Sequence, residues 1–344
     1  MSAIPEPVPP LPPRSKVRRR LFLLIMLGLA LYFVLPQFAK IQQALQVASS
    51  LSITFVTLSL CAEVLSYLGS GYLLRTVVRR GDTPVSVVDG ALLTVGANSV
   101  GTLGGGVIGT AGLTYLWLRR RGVSPGTAGL GGWMPIFLNN ATLAVVSLIG
   151  LFTLIFLRRF SGILVLALAL AVLILAGGFG TLLWCITHRA ILTTLATKLA
   201  RLAAKIRRKP VDPGVIEAAI ARALDAWDAL SDGGWTGPAT GAVLNTGFDM
   251  LTLELLFLAA GHSVNPLVLT AGYGVPQLLG KLTVVLGGVG VVEASMVGLF
   301  AILGVARPVA VVVVIVYRLF SFWMPTLAGV ALVPYLEHRE NRAQ

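Results

Sequence analysis

Cysteine, histidine and acidic residues are all scarce in this chain, and each shortage removes a class of chemistry. The 344 residues hold two cysteines, Cys61 and Cys185, each inside an apolar run and without a CxxC neighbour, which argues against a disulfide framework or a thiolate zinc site. The three histidines, His188, His262 and His338, stand at segment ends, and none joins a carboxylate at metal-ligand spacing. No Walker pattern occurs and no hydroxyl or thiol nucleophile stands beside a base. The expectation is a protein without enzymatic activity, without a metal and without a cofactor.

What fills the chain instead is apolar. Hydrophobic residues make up 56% and charged residues 12%, mean hydropathy is +0.86, and several apolar runs approach membrane-spanning length. These values point to an all-α polytopic membrane protein. With Asp and Glu at 14 against 27 Lys and Arg, the net charge is +13. Most of that charge lies in clusters beside apolar spans, the pattern of cytoplasmic loops rather than of a nucleic-acid groove.

Residues 4–13 carry six prolines and are followed by Arg14, Lys16 and Arg18 to Arg20, so 1–20 reads as a disordered basic cytoplasmic leader. A first membrane half is expected over 21–187. It holds full spans at about 21–38, 50–74, 127–157 and 162–187, and a hairpin at 86–118 interrupted by Gly104-Gly105-Gly106. Basic clusters at both ends of that hairpin, Arg75, Arg79 and Arg80 before it and Arg119 to Arg121 after it, place its ends on one side. Its 33 residues are too few for two crossings of about 20 residues each, so the reading is a re-entrant hairpin lining a protein cavity.

A linker over 188–236 changes period. Leu192, Leu195, Leu199, Leu202 and Ile206 form one stripe opposite Lys198, Arg201, Lys205, Arg207 and Arg208, a basic amphipathic helix. A second run with Ile216, Ile220, Leu224 and Trp227 carries Glu217, Asp225 and Asp228. The pair reads as a cytoplasmic surface hairpin near anionic headgroups, or as a partner-binding element. The second membrane half, 237–336, holds spans at about 238–260 and 308–336 around another hairpin, 266–303, and a cytoplasmic tail covers 337–344. In this topology all but six of the 27 Lys and Arg are cytoplasmic. Lys40, Arg158, Arg159 and Arg307 face outward, Arg158 and Arg159 against the positive-inside tendency, while Lys281 and Arg318 fall within the membrane.

The second hairpin breaks at Leu286-Gly287-Gly288-Val289-Gly290-Val291-Val292-Glu293. Glycines permit backbone shapes closed to other residues, and a helix restarting there aims its amide-rich N-terminus at the elbow, a potential anion site. The Gly288-x-Gly290-x-x-Glu293 spacing superficially matches a dinucleotide fingerprint, but no βαβ unit surrounds it. The two hairpins align without a gap at an offset of 182 residues. Pro84 falls on Pro266, Gly90 on Gly272, Gly105 and Gly106 on Gly287 and Gly288, Val107 on Val289, and Gly122-Val123 on Gly304-Val305. Three crossings between them predict inverted repeats, the architecture of secondary transporters; the rival explanation of the glycines is close helix packing in a structural subunit.

Charge at the bilayer centre costs about 2.5 to 3.5 kcal/mol on insertion scales, so each buried charge needs a reason. The candidates are Lys281, Glu293, Asp249, Glu254 and Arg318, with Asp89, Asn98, Asn139, Asn140 and Glu63 as counterparts in the first half. Structural ion pairs and a helix-terminus role for Glu293 explain them singly; together they suggest a polar cavity.

The run from Phe248-Asp249 through the Gly287 to Glu293 elbow to Val316-Tyr317-Arg318-Leu319-Phe320-Ser321-Phe322-Trp323-Met324-Pro325 resembles the lysylphosphatidylglycerol synthase transmembrane region family, a flippase-like domain family also known as UPF0104. The resemblance covers about 20–336. It implies a membrane domain that moves a modified lipid between leaflets, here without the soluble aminoacyl-transferring domain of the lipid-aminoacylating members. It departs from the family at Leu286, where proline is common, and at Pro135, Ile136 and Asn139, where the family commonly carries Glu-Arg and a later Asp. These departures leave the lipid open between an anionic or aminoacylated phospholipid and a polyprenyl-phosphate-linked glycolipid.

The expected protein is thus a multi-pass flippase in a bacterial or archaeal cytoplasmic membrane, both termini cytoplasmic, with about six full spans and two inverted re-entrant hairpins. Lys281, Arg318 and the amides of Gly287, Gly288 and Gly290 would hold phosphate, Asp249, Glu254 and Glu293 would orient the bases or meet a cationic headgroup, and Gly105, Gly106, Asn98 and Asn139 would line the first half. The alternative is a non-transporting accessory or scaffold subunit among cell-envelope biosynthetic proteins.

Overall fold

A computed structural model describes residues 46–79, 85–102, 106–156, 234–283 and 286–341, with isolated positions between 170 and 228. The leader and the predicted span at 21–38 lie outside the described residues, as do most of the predicted span at 162–187 and of the 188–236 linker. Every regular element among those described is helical: α1 (Ile53–Val78), α2 (Val87–Val100), α3 (Gly106–Arg120), α4 (Pro125–Phe156), α5 (Thr236–Ala259), α6 (Pro266–Leu282), α7 (Val291–Ile302), α8 (Arg307–Arg318) and α9 (Met324–Asn341). A π-helical segment, Leu319–Trp323, joins α8 to α9.

Among the described residues, four stretches are long and apolar enough to cross a membrane: Ile53–Val78, Pro125–Phe156, Thr236–Ala259 and Arg307–Leu332. They fall on the spans expected at 50–74, 127–157, 238–260 and 308–336. The expected tail from 337 begins as a continuation of α9. Between the long helices stand two pairs of short ones, α2 and α3 with 14 and 15 residues, α6 and α7 with 17 and 12. Glycines stand in the sequence between the members of each pair, Gly101 and Gly104 to Gly106 in the first and Gly287, Gly288 and Gly290 in the second.

Local chemistry sets these boundaries. The Ser86 hydroxyl accepts the Asp89 amide at 3.0 Å and donates to Asp89 Oδ2 at 2.8 Å, capping α2. Asn265 Oδ1 accepts the Leu267 amide at 2.8 Å while Pro266 opens α6. At the far ends of α3 and α7 the same C-terminal turn occurs twice. Gly122 (φ 82°) and Gly304 (φ 100°) take the left-handed conformation, and the next amide reaches back in each case, Val123 to Leu118 O at 3.1 Å and Val305 to Phe300 O at 2.9 Å. Gly122 and Gly304 are 182 residues apart.

The same offset relates the whole helical series. Displaced by 182, α1 becomes 235–260 against α5 at 236–259, α2 becomes 269–282 against α6 at 266–282, α3 becomes 288–302 against α7 at 291–302, and α4 starts at 307, where α8 starts. Contacts follow the exchange, since α6 packs on α4 and α2 packs on α9. The largest interface joins the equivalent helices α1 and α5. Ser52 meets Ala259, Ser59 meets Thr252, Ser66 meets Asn245 and Leu73 meets Gly241, so these two helices run antiparallel.

Small residues let the pair approach closely. A Cβ on Gly69 would lie 2.7 Å from Asn245 N, and one on Gly241 2.6 Å from Leu73 Cα. Ser66 and Asn245 then lock the seam: the Ser66 hydroxyl donates to Asn245 O at 2.9 Å, and Asn245 Nδ2 donates to Ser66 O at 3.0 Å. An apolar core flanks the seam in each half. Leu74, Leu93, Trp117 and Leu118 pack in the first; Leu253, Phe257, Met296, Phe300 and Tyr317 pack in the second. Trp227, the described member of the predicted linker stripe, stacks on Trp133 of α4 with parallel rings 5.8 Å apart and meets Trp235 edge-on. That part of the linker is therefore pinned to the helical body by aromatic contact.

Candidate functional site

α6 ends at its C-cap Thr283, whose backbone is extended, and in 286–290 three backbones turn left-handed: Gly287 (φ 64°), Gly288 (φ 65°) and Gly290 (φ 85°). Two of these glycines also serve packing. A Cβ on Gly288 would lie 2.8 Å from Gly280 Cα, and one on Gly287 would collide with the Phe322 ring. The elbow is thus folded against α6 on one side and the π-helical segment on the other. It also reaches the break of the first half, where Thr102 Cγ2 would lie 3.4 Å from a Gly287 Cβ.

One ion pair fastens the elbow. Glu293, in the first turn of α7, accepts the Gly290 amide on Oε2 at 2.6 Å and Arg318 Nε on Oε1 at 2.7 Å. Arg318 also donates from Nη2 to Gly287 O at 3.2 Å, and its guanidinium lies 4.2 Å from the centre of the Phe322 ring. At 4% exposure Arg318 is almost fully buried, and its charge is met by one carboxylate, one carbonyl and one aromatic face. The α7 amide terminus predicted as an anion site already holds an anion, the side chain of Glu293.

A second polar cluster lies beside this lock. Asp249 of α5 accepts two tyrosine hydroxyls, Tyr273 on Oδ2 at 2.7 Å and Tyr317 on Oδ1 at 2.9 Å. The Tyr317 oxygen in turn accepts Gln277 Nε2 at 2.9 Å. Arg318 is within electrostatic reach of Asp249. Across the α1–α5 seam, Glu63 is 4% exposed, and Asp249, Thr252 and Tyr67 lie against its carboxyl.

The fold therefore gathers Arg318, Glu293, Gly287, Gly288, Gly290 and Asp249 of the predicted site. Others stand apart. Lys281 is exposed on the last turn of α6 and makes no ion pair among the described residues; Glu254 is half-buried on α5, about 140° around the helix from Asp249. Asn98 is exposed, Asn139 keeps a buried Oδ1 without a partner, and Gly106 (φ 54°) opens α3 with free space beside it. Gly105 lies outside the described residues. Asp89 caps α2 and pairs with Arg121 at 3.6 Å, away from any cavity role.

Tyr67, Tyr273, Gln277 and Tyr317 belong to the network without having been singled out. A usable signal existed, because the 182-residue offset that pairs the hairpins also sets Tyr67 on Asp249 and Glu63 on Asn245. Among the described residues no group of three His, Cys, Asp or Glu side chains is placed to hold a metal ion. An apolar pocket of ≈ 640 Å³ opens between Ile149, Phe152 and Phe156 of α4 and Leu267 and Val268 of α6. It offers room for hydrocarbon, at the opposite end of α6 from the elbow.

Comparison with known sequences locates this arrangement. Residues 22–329 match the sequence model of the lysylphosphatidylglycerol synthase TM region. A UPF0104 membrane protein of Methanothermobacter thermautotrophicus is 32% identical over 87 residues, 25% of this chain and 26% of its own length. UPF0104 membrane proteins of Pyrococcus horikoshii and Methanocaldococcus jannaschii are 34% and 33% identical over 87 and 82 residues, again about a quarter of each chain. The chain thus matches about a quarter of the length of these curated relatives.

Proposed function

The chain belongs to the lysylphosphatidylglycerol synthase TM region family, and from that premise we propose that this multi-pass membrane protein is a flippase-like lipid translocase. Its substrate is an anionic or modified lipid, a phospholipid or a polyprenyl-phosphate-linked glycolipid, passed between leaflets of the cytoplasmic membrane. The observation that carries this reading is the elbow lock: a buried arginine joined to a carboxylate at 2.7 Å across a broken helix. A lipid phosphate and Glu293 compete for the same guanidinium. Phosphate binding at Arg318 releases Glu293, unpins the Gly287–Gly290 elbow from Phe322 and lets α7 move. Unwound backbone at a proposed midplane site, facing an anionic group, is how broken-helix transporters bind substrate.

In this reading the two halves, 21–187 and 237–336, are inverted repeats with re-entrant hairpins, and both termini are cytoplasmic. The antiparallel packing of the equivalent helices α1 and α5 supports the inversion. Lys281 offers the entering headgroup a first cation away from the lock, and Glu254, Asn98, Asn139 and Gly106 are assigned to later steps of the path. Single cysteines at positions 119 and 307 test the topology, since the inversion needs them labelled from opposite sides. Reconstitution in liposomes with labelled lipids tests the function. Transfer above protein-free vesicles, lost on Arg318→Ala and slowed on Lys281→Ala, is the expected result; no transfer of phospholipid or polyprenyl-phosphate sugar defeats the proposal.

A second reading has its own observation. Every contact of Arg318 described above is internal, as in a subunit whose charges serve only its fold. A scaffold or accessory subunit of an envelope-synthesis complex tolerates Lys281→Ala without a phenotype, whereas substitution of packing glycines such as Gly69 or Gly241 abolishes its role.

A further inference from the structure

Glu63 has no part in the elbow lock, yet it is the most isolated acid in the helical core. Its Oε2 is buried and has no hydrogen-bond partner among the described residues. The groups around it explain why. Tyr67 lies against the carboxyl, but its single proton goes to Ser321 O at 2.9 Å. Thr252 lies there too, and its proton is shared between Phe248 O at 3.0 Å and Ser59 O at 3.3 Å. Both hydroxyls are thus engaged with backbone carbonyls as well, and Glu63 Oε2 is left without a partner among the described residues.

The third neighbour is another acid. Asp249 receives two tyrosine protons, from Tyr273 and Tyr317, and is supported as the anion. The nearby base, Arg318, is tied to Glu293 and Gly287. Counting the groups that face this volume from α1, α5, α6, α7 and α8, there are three carboxyls (Glu63, Asp249, Glu293), three neutral tyrosines (Tyr67, Tyr273, Tyr317) and one guanidinium (Arg318). With all three acids ionised, the interior would hold two uncompensated negative charges, and one such charge in a low-dielectric interior is neutralised rather than tolerated. Glu63 is where neutralisation belongs, because its buried Oε2 has no partner among the described residues, whereas Asp249 takes two tyrosine protons and Glu293 takes the guanidinium.

We propose that Glu63, backed by Asp249, Tyr67 and Thr252, is a binding site for one monovalent cation, H⁺ or Na⁺, at the seam between the two halves. Each neighbour presents an oxygen, which suits either a proton donated by Glu63 or a small hard cation in its place. The site joins α1 of one half to α5 of the other, so its occupancy bears on how the halves pack. As the ion that drives lipid movement it rests on the translocase reading; as a binding site it does not.

Two measurements on the full chain in vesicles test the site without any lipid assay. Infrared difference spectra between acid and alkaline buffer are expected to contain a protonated-carboxyl band that disappears completely in Glu63→Gln and in Glu63→Leu. Thermal unfolding in Na⁺ against choline, at alkaline pH, reads the other ion through an upward shift in Tm that both variants lose. Glu63→Gln, which has the shape of the protonated acid, is expected to fold, and Glu63→Leu serves if it does not. A band or a Tm shift that depends on Glu63 supports the site and names its ion; neither signal, or signals that persist in both variants, overturns it. The transport arm imposes a pH or Na⁺ gradient on vesicles carrying labelled lipid. A lipid bias that follows the gradient in the native protein and vanishes in Glu63→Gln supports coupling. Transfer indifferent to both gradients overturns coupling alone, and no transfer in any vesicle sinks the translocase reading while the infrared and thermal results stand.

Discussion

The break between α2 and α3 and the break between α6 and α7 hold equivalent positions in the two halves, yet they are fastened differently. The second is bound by charge, with Arg318, Glu293, two backbone groups and an aromatic ring in one cluster. Among the described residues the first shows a neutral contact. Thr110 donates to Gly106 O at 3.2 Å, and at the positions equivalent to Glu293 and Arg318 stand Ala111 and Ile136. A repeated backbone design has kept its glycine punctuation in both copies and its ion pair in one. The halves are therefore alike in shape and unlike in charge: an ion pair fastens the second break, and uncharged residues hold its positions in the first.

Removing the ion pair is the strongest way to break that contrast. Glu293→Ala leaves a buried guanidinium without its partner and is expected to cost about 3 to 5 kcal/mol in thermal or denaturant unfolding. Ala111→Ser, at the equivalent place, is expected to stay near native. Next come the elbow glycines. Gly287→Ala adds left-handed strain of about 1 to 2 kcal/mol and forces Phe322 aside, whereas Gly106→Ala carries the strain alone because nothing lies within 4 Å of its Cβ. The difference between the two Tm losses measures the Phe322 contact.

A matched pair sharpens the similarity instead. Gly122→Ala and Gly304→Ala interrupt the same turn, and each is expected to cost about 1 to 2 kcal/mol, the two agreeing within experimental error. The smallest effect belongs to Lys281→Ala. With an exposed side chain and no ion pair among the described residues, its removal is expected to change stability by less than about 0.5 kcal/mol. Any loss it causes in lipid transfer is then a loss of binding.

Much of this arrangement was legible in the sequence because membrane helices advertise themselves by length and apolar run, and breaks by glycine. The Glu293–Arg318 pair was within reach for the same reason, since charges at depth are few. The tyrosine network was not. A tyrosine in an apolar helix reads equally well as packing or as an interfacial anchor, and only the meeting of α5, α6 and α8 puts Tyr273, Tyr317 and Gln277 around Asp249. Spacing did not show that Lys281 and Glu254 stand apart from the lock. Both lie within five residues of a network member, but position around a helix, not distance along it, decides which side chains meet. The offset of 182 was visible in the hairpins, and the seam it also governs is built from Ser, Thr, Asn and Gly, which carry no pattern of their own.

The π-helical segment Leu319–Trp323 has a bearing on how this chain tolerates length changes. A π turn lodges one extra residue in a helix with little gain in length, and everything downstream is rotated by roughly 100° relative to an unbroken α-helix. Beyond it, Gly329 comes to rest against Ser99 and Val95 of α2, with Ser99 donating to Pro325 O at 3.3 Å. Deleting a single residue from 319–323 would hardly shorten the span. It would act as a turn of the key, swinging Gly329 off α2 and carrying bulkier neighbours into a seam that has room only for hydrogen.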